Sequence, residues 1–180
     1  MPEKRGKGPA VVPGGEIILD FSKVRPFEPL DPRQKYLCRV TKLERGRGPQ
    51  GPRSHLELTI EAPEEVQVEE WIPDEAAEGG MSKVGPKFDE KTGDPVMTKA
   101  KGRILFREFS LLTQALPFLY EFIKAVAPET KLDEKFRYLE KNYMGLPCTC
   151  SVTNEAFQEQ IRARVKRMTP ASAYKAPVTA

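Results

Sequence analysis

Period-two alternation of apolar and polar residues marks the clearest elements of this chain. In Ser54–Ile60, Leu56, Leu58 and Ile60 alternate with His55, Glu57 and Thr59. In Ile161–Met168, Ile161, Ala163 and Val165 alternate with Arg162, Arg164 and Lys166. Successive side chains of a strand point to opposite faces, so each stretch predicts a strand with one buried and one solvated side. Tyr36–Leu43, Gly102–Phe109 and Cys148–Thr153 read as three further strands, and Glu16–Phe21 as a short one. The helical period appears in Leu119, Phe122, Ile123 and Val126, which form one apolar stripe. A helix is expected from Pro117, suited to a first turn, to Val126, with a short turn at Leu111–Leu116 before it and Pro128 ending it. Asp133 is placed to cap a second helix running to Asn142, which would pack Phe136, Leu139 and Tyr143.

The intervening segments carry turn signals. Tyr36–Leu43 and Ser54–Ile60 are joined by E-R-G-R-G-P-Q-G-P-R, read as a basic, glycine-rich hairpin loop. Arg25–Arg33, with Pro26, Pro29 and Pro32, reads as an extended connector. Glu61–Ile72 is acidic with interspersed Val66, Val68, Trp71 and Ile72 and can continue the sheet, whereas Pro73–Ala100 has repeated Gly and Pro, no period, and reads as a long loop. Gly145-Leu146-Pro147 turns into Cys148–Thr153, and the last strand, about Gln160–Met168, is expected to pair back across Asn154–Glu159. Residues 1–15 read as a flexible basic arm, residues 16–169 as one domain with an acidic insertion at about 61–100, and residues 170–180 as a flexible tail. The fold class expected is mainly β with helices. The order strand, strand, strand, helices, strand, strand fits a five-stranded OB-like β-barrel with its helix between strands three and four, and also fits other small barrels or sandwiches.

Charge sharpens this picture. The net charge of +3 conceals a division: residues 1–60 hold 12 basic and 7 acidic side chains, residues 61–98 hold 3 and 11, and residues 99–180 hold 14 and 8. A basic body thus carries an acidic middle, and its cations lie on predicted strands. A cationic sheet face beside a cationic hairpin suits a polyphosphate chain, which makes nucleic acid the leading ligand. No stretch approaches the roughly 20 apolar residues that span a bilayer, and the N-terminus lacks the apolar core of a signal peptide, so a cytoplasmic protein is expected. Three cysteines, Cys38, Cys148 and Cys150, argue against a disulfide framework. With one histidine and no second Cys pair, a zinc site lacks ligands, and Cys148 and Cys150 read as buried thiols on one strand face.

Catalysis finds little support. His55 is the sole histidine, and there is no metal-ligand cluster, nucleotide-binding glycine motif or nucleophile triad context. The expectation is a non-enzyme without cofactor or metal.

Several of these segments resemble a known group. Y-L-C-R-V-T-K-L-E at Tyr36–Glu44, the Gly/Arg hairpin and L-E-L-T-I after it, G-R-I-L-F-R-E-F-S-L leading into a helix, and G-L-P-C-T-C-S-V followed by R-A-R-V-K-R-M-T-P are similar to bacteriophage replication-module proteins that bind single-stranded DNA. The resemblance covers about Phe21–Pro170 and rests on order and texture. It implies an OB-like fold and single-stranded DNA binding in replication or recombination. Replication or recombination proteins and a homo-oligomer are held open as further partners. One departure is that the chain ends A-Y-K-A-P-V-T-A, without the acidic tail by which bacterial proteins of this function recruit partners.

The candidate phosphate contacts are Arg39, Lys42, Arg45, Arg47 and Arg53 around the hairpin, Lys101, Arg103 and Arg107 on the third strand, and Arg162, Arg164, Lys166 and Arg167 on the last. The alternative for each is a solvated face or a charge-protected edge. Tyr36, Phe106, Phe109 and Trp71 are candidates for base stacking, with core packing the better reading of Phe106 and Phe109. A rival function is a protein-interaction module, such as a recombination mediator or host-factor inhibitor, working through the acidic insertion and Trp71; a virion component is a third.

Overall fold

The computed structural model describes residues 28–177, together with the backbone pairing of Ala10–Val11 with Ile17–Ile18. The elements in order are β1 (Ala10–Val11), β2 (Ile17–Ile18), β3 (Lys35–Gly48), β4 (Gly51–Ala62), β5 (Glu65–Gln67), β6 (Glu69–Pro73), β7 (Met81–Pro86), β8 (Met97–Lys99), β9 (Ile104–Ser110), α1 (Leu116–Val126), β10 (Pro147–Phe157) and β11 (Gln160–Pro170). Most of the basic arm, the rest of the expected strand Glu16–Phe21 and the last three residues of the tail lie outside the described residues.

Five long strands form one antiparallel sheet in the order β11-β10-β3-β4-β9. Its edge strands, β9 and β11, approach one another without a hydrogen-bonded ladder. The inner face carries the alternating apolar residues: Tyr36, Cys38, Val40 and Leu43 from β3, Leu56, Leu58 and Ile60 from β4, and Leu105 and Phe109 from β9. Helix α1 packs Leu119, Phe122, Ile123 and Val126 into this core, with the Phe122 ring 5.3 Å from Phe109 and 5.8 Å from Tyr143. Cys38, Cys148 and Cys150 are all buried in it; the Cys148 and Cys150 sulfurs stand 3.7 Å apart, and their contact together with burial raises the Cys148 thiol pKa. No helix among the described residues is long and apolar enough to cross a membrane.

Four expectations are corrected. The basic hairpin is not a loop, because the β3–β4 ladder runs out to Gly48↔Gly51 and leaves only Pro49 and Gln50 as the turn; Gly51 takes φ +131, open to glycine. The segment Pro73–Ala100 is not a structureless loop either. It pairs back on the acidic stretch before it, so the insertion is a β6–β7 hairpin nested within the antiparallel β5–β8 pair, outside the main sheet. No second helix forms: the Asp133 carboxylate caps a turn at the Lys135 amide, and only a 3-10 turn at Glu140–Tyr143 follows. Asn154–Glu159 is mostly strand, with the turn confined to Gln158 and Glu159, both at positive φ. At the other end, the expected flexible tail begins with a 3-10 turn, Ala171–Ala173.

Two of the three register shifts in the main sheet set which side chains of β3 and β11 face out. Inward apolar residues recur every second position until Val40 to Leu43 on β3 and Val165 to Met168 on β11, where the gap is three. At both places the ladder shifts register, between Val40 and Lys42 and opposite Ser151/Val152. An extra residue in one strand re-aims its neighbours. On β11 it leaves the consecutive residues Lys166 and Arg167 both exposed while Met168 turns into the core.

Candidate nucleic-acid interface

The outer face of β10–β11 collects the densest free positive charge. In register, Arg162 lies opposite Glu155, Arg164 opposite Thr153, and Arg167 opposite Ser151. Ser151 in turn faces Lys35 on β3, so Lys35, Ser151 and Arg167 form one row across three strands. Arg164 is held by Glu155 at 2.9 Å, but Lys166 and Arg167 make no ion pair with any described residue. Beside them opens a groove of about 500 Å³ whose polar lining is Ser151, Thr153, Lys166, Arg167 and Lys83 of β7, without a carboxylate. Two hydroxyls and the unpaired cations Lys166 and Arg167, with Lys83 shared with Glu69 at 2.8 Å, make an anion site, because phosphate oxygens accept from each of these donors. At the far end of the hairpin the Arg162 guanidinium lies 5.2 Å from the ring centroid of Phe157, whose side chain is exposed.

The other predicted cations are spread over separate surfaces and are mostly engaged. On the outer face of β3 and β4, Arg39 pairs with Glu61, and Lys42 lies 3.6 Å from Glu44 and 3.8 Å from Glu57. The three hairpin arginines separate onto two faces, since Arg45 and Arg47 share one side of β3 while Arg53 lies opposite Gly46 on the other. Arg45 binds Glu140 through two nitrogens at 2.8 and 3.1 Å and covers the Tyr138 ring. Arg53 holds Glu108 at 3.0 Å, a carboxylate shared with His55. Arg47 alone of the three makes no ion pair with a described residue. Lys101 stands 3.6 Å from Glu64, and Arg103 donates to the Glu28 carbonyl at 2.7 Å, with burial lowering its pKa. Arg107 faces inward: it is largely buried, stacks on Phe109 and Phe118, and lies 3.6 Å from Glu121. It offers little surface charge to a phosphate.

Burial also sorts the aromatic candidates. Tyr36 and Phe109 are fully buried, so neither ring presents a face to solvent; the Tyr36 hydroxyl donates to the Asp31 carbonyl, and burial raises its pKa. Phe106, expected in the core, is instead 63% exposed on the outer face of β9, opposite Glu57. Trp71 is half-buried and donates its ring N–H to Glu69 at 2.9 Å.

No family model matches this chain, and no curated protein matches it. The site therefore stands on its own geometry.

Lys35, Lys83, Ser151, Thr153 and Phe157 were not singled out by the sequence. The three-residue gap between Val165 and Met168 is the signal by which the bulge beneath Lys166 and Arg167 was legible. Lys83 had no such signal, because its place depends on the insertion folding back toward β10.

Proposed function

We propose that this protein binds single-stranded DNA without base specificity and without catalysis, using the outer face of β10–β11. The observation that carries the reading is the carboxylate-free groove in which Lys166 and Arg167 stand unpaired beside Ser151 and Thr153. Charges already neutralised by neighbouring carboxylates contribute little to a polyanion, whereas unpaired ones release counterions from it. Exposed rings at Phe157 and Phe106 offer stacking faces that any base can use. A five-stranded, partly open antiparallel sheet with a helix between its third and fourth long strands accords with an OB-like barrel, a fold that commonly serves this purpose. The resemblance to phage replication-module proteins adds DNA replication or recombination as the setting, in the host cytoplasm.

The test is a fluorescence titration of labelled oligo-dT, and of a duplex of equal length, at two salt concentrations. The single strand is expected to bind more tightly, and the double substitution Lys166→Ala/Arg167→Ala to flatten the salt dependence of log affinity by about 1.4, since each neutralised phosphate of a single strand contributes roughly 0.7. Undetectable binding, or an unaltered slope in the double variant, rejects the reading.

A further inference from the structure

The acidic insertion supplies one wall of this groove. Residues 61–98 carry 11 acidic side chains against 3 basic ones, which suggests a segment that repels DNA or competes with it. Its fold reverses that expectation at one point. β6 pairs with β7 so that Trp71 lies opposite Lys83, and Lys83 lines the same groove as Lys166 and Arg167.

The hairpin is fastened to the body at both ends. Near its base, Glu69 is 4% exposed, and its Oε2 accepts from Asn154 Nδ2 at 2.7 Å and from Trp71 Nε1 at 2.9 Å. Near its tip, the Glu159 amide donates to the Gly79 carbonyl at 3.1 Å. Gly79 approaches β10 so closely that a Cβ there would stand 2.3 Å from the Ala156 carbonyl oxygen. Lys83 is therefore carried on an anchored element. Its ammonium lies 2.8 Å from Glu69 Oε1, yet its side chain is 55% exposed while that of Glu69 is 4% exposed. An ammonium has three donor hydrogens in a rotatable head. Lys83 can keep one on the buried carboxylate and turn the others to the groove.

We propose that Lys83 is a phosphate-binding residue, so that the DNA backbone lies between the inserted hairpin and β11 and takes cations from both walls. This rests on the proposed DNA-binding reading and assigns the insertion a part in it. Two walls hold a single backbone more tightly than an open face, because charged donors reach the phosphates from both sides and the walls of the cleft focus their field.

The test uses the intact wild-type protein and lysine acetylation read by mass spectrometry, with and without saturating oligo-dT. Lys83 and Lys166 are both expected to be modified in the free protein, and both to be protected at least several-fold in the complex. Protection of Lys166 with unaltered modification of Lys83 overturns this inference and leaves the DNA-binding reading standing. Protection of neither removes both. A second measurement separates charge from folding: Lys83→Gln is expected to weaken oligo-dT binding several-fold, and Lys83→Arg to restore it, with a slope change below the roughly 0.7 of an unpaired cation because Glu69 already holds part of the charge. A lowered Tm in Lys83→Gln with unaltered oligo-dT affinity assigns Lys83 to stability alone and overturns the inference.

Discussion

Glu121 accepts a hydrogen bond from the Met168 amide at 3.0 Å while its other oxygen lies 3.6 Å from the Arg107 guanidinium. One helix side chain thereby joins β11 to β9, the two sheet edges that share no ladder. Glu121 is the ion-pair partner of the inward-facing Arg107 among the described residues, while the Arg107 Nη1 is buried without a hydrogen-bond partner there. A buried group that loses its partner costs about 1–3 kcal/mol. Glu121→Ala is expected to lower stability by about that amount, seen as a reduced urea midpoint at constant m. A midpoint within error of wild type would show that the seam closes without it.

The root of the β3–β4 ribbon has a pH signature. Burial disfavours the Glu140 carboxylate, but hydrogen bonds from Arg45 and Ser54 outweigh it and hold its pKa below the ordinary value. A carboxyl whose folded pKa is depressed stabilises fully above its unfolded pKa, and that contribution is lost as pH falls through the folded value. Arg45→Met removes the main opposing charge. The acid unfolding midpoint of this variant should move to higher pH than that of wild type, as followed by circular dichroism. An unaltered midpoint would separate Glu140 from acid stability. The neighbouring Tyr138, pushed up to about 12 chiefly by burial, stays neutral throughout this range.

Substitutions at Phe106 and Phe109 should part company. Phe106 is 63% exposed, so Phe106→Ala is expected to leave stability within about 0.5 kcal/mol of wild type. It is expected to weaken oligo-dT binding by about 1–3 kcal/mol if the ring stacks on a base. Phe109 is fully buried against Phe122, and Phe109→Ala should cost about 3–5 kcal/mol of stability. Denaturation and titration on both variants check the pair; normal binding by Phe106→Ala removes this ring from the interface.

The ribbon arginines should contribute unequally to binding. Arg45 and Arg53 already hold carboxylates on opposite faces, and Arg47 is the one without an ion pair to a described residue. Removing all three is expected to flatten the salt slope by no more than about 0.7, one phosphate's share. A loss near three times that size would show that the ion pairs open for DNA.

Local pattern was sufficient to place the main strands and helix α1. Alternation in Ser54–Ile60 and Ile161–Val165 is a property of neighbouring residues, and so is the stripe of Leu119, Phe122, Ile123 and Val126. Concentration of charge on the last strand was legible for the same reason. Tertiary structure alone decided which cations remain free. Ion pairs such as Arg45 with Glu140 and Arg53 with Glu108 join residues 95 and 55 positions apart, distances over which composition carries no information. It also decided that Tyr36 and Phe109 belong to the core and Phe106 to the surface, since two alternating faces are equivalent until a sheet and helix cover one of them. The insertion shows the same limit. Its acidity is written in the chain, but the position of Lys83 beside Lys166 and Arg167 arises only when β7 pairs with β6 and the hairpin docks on β10.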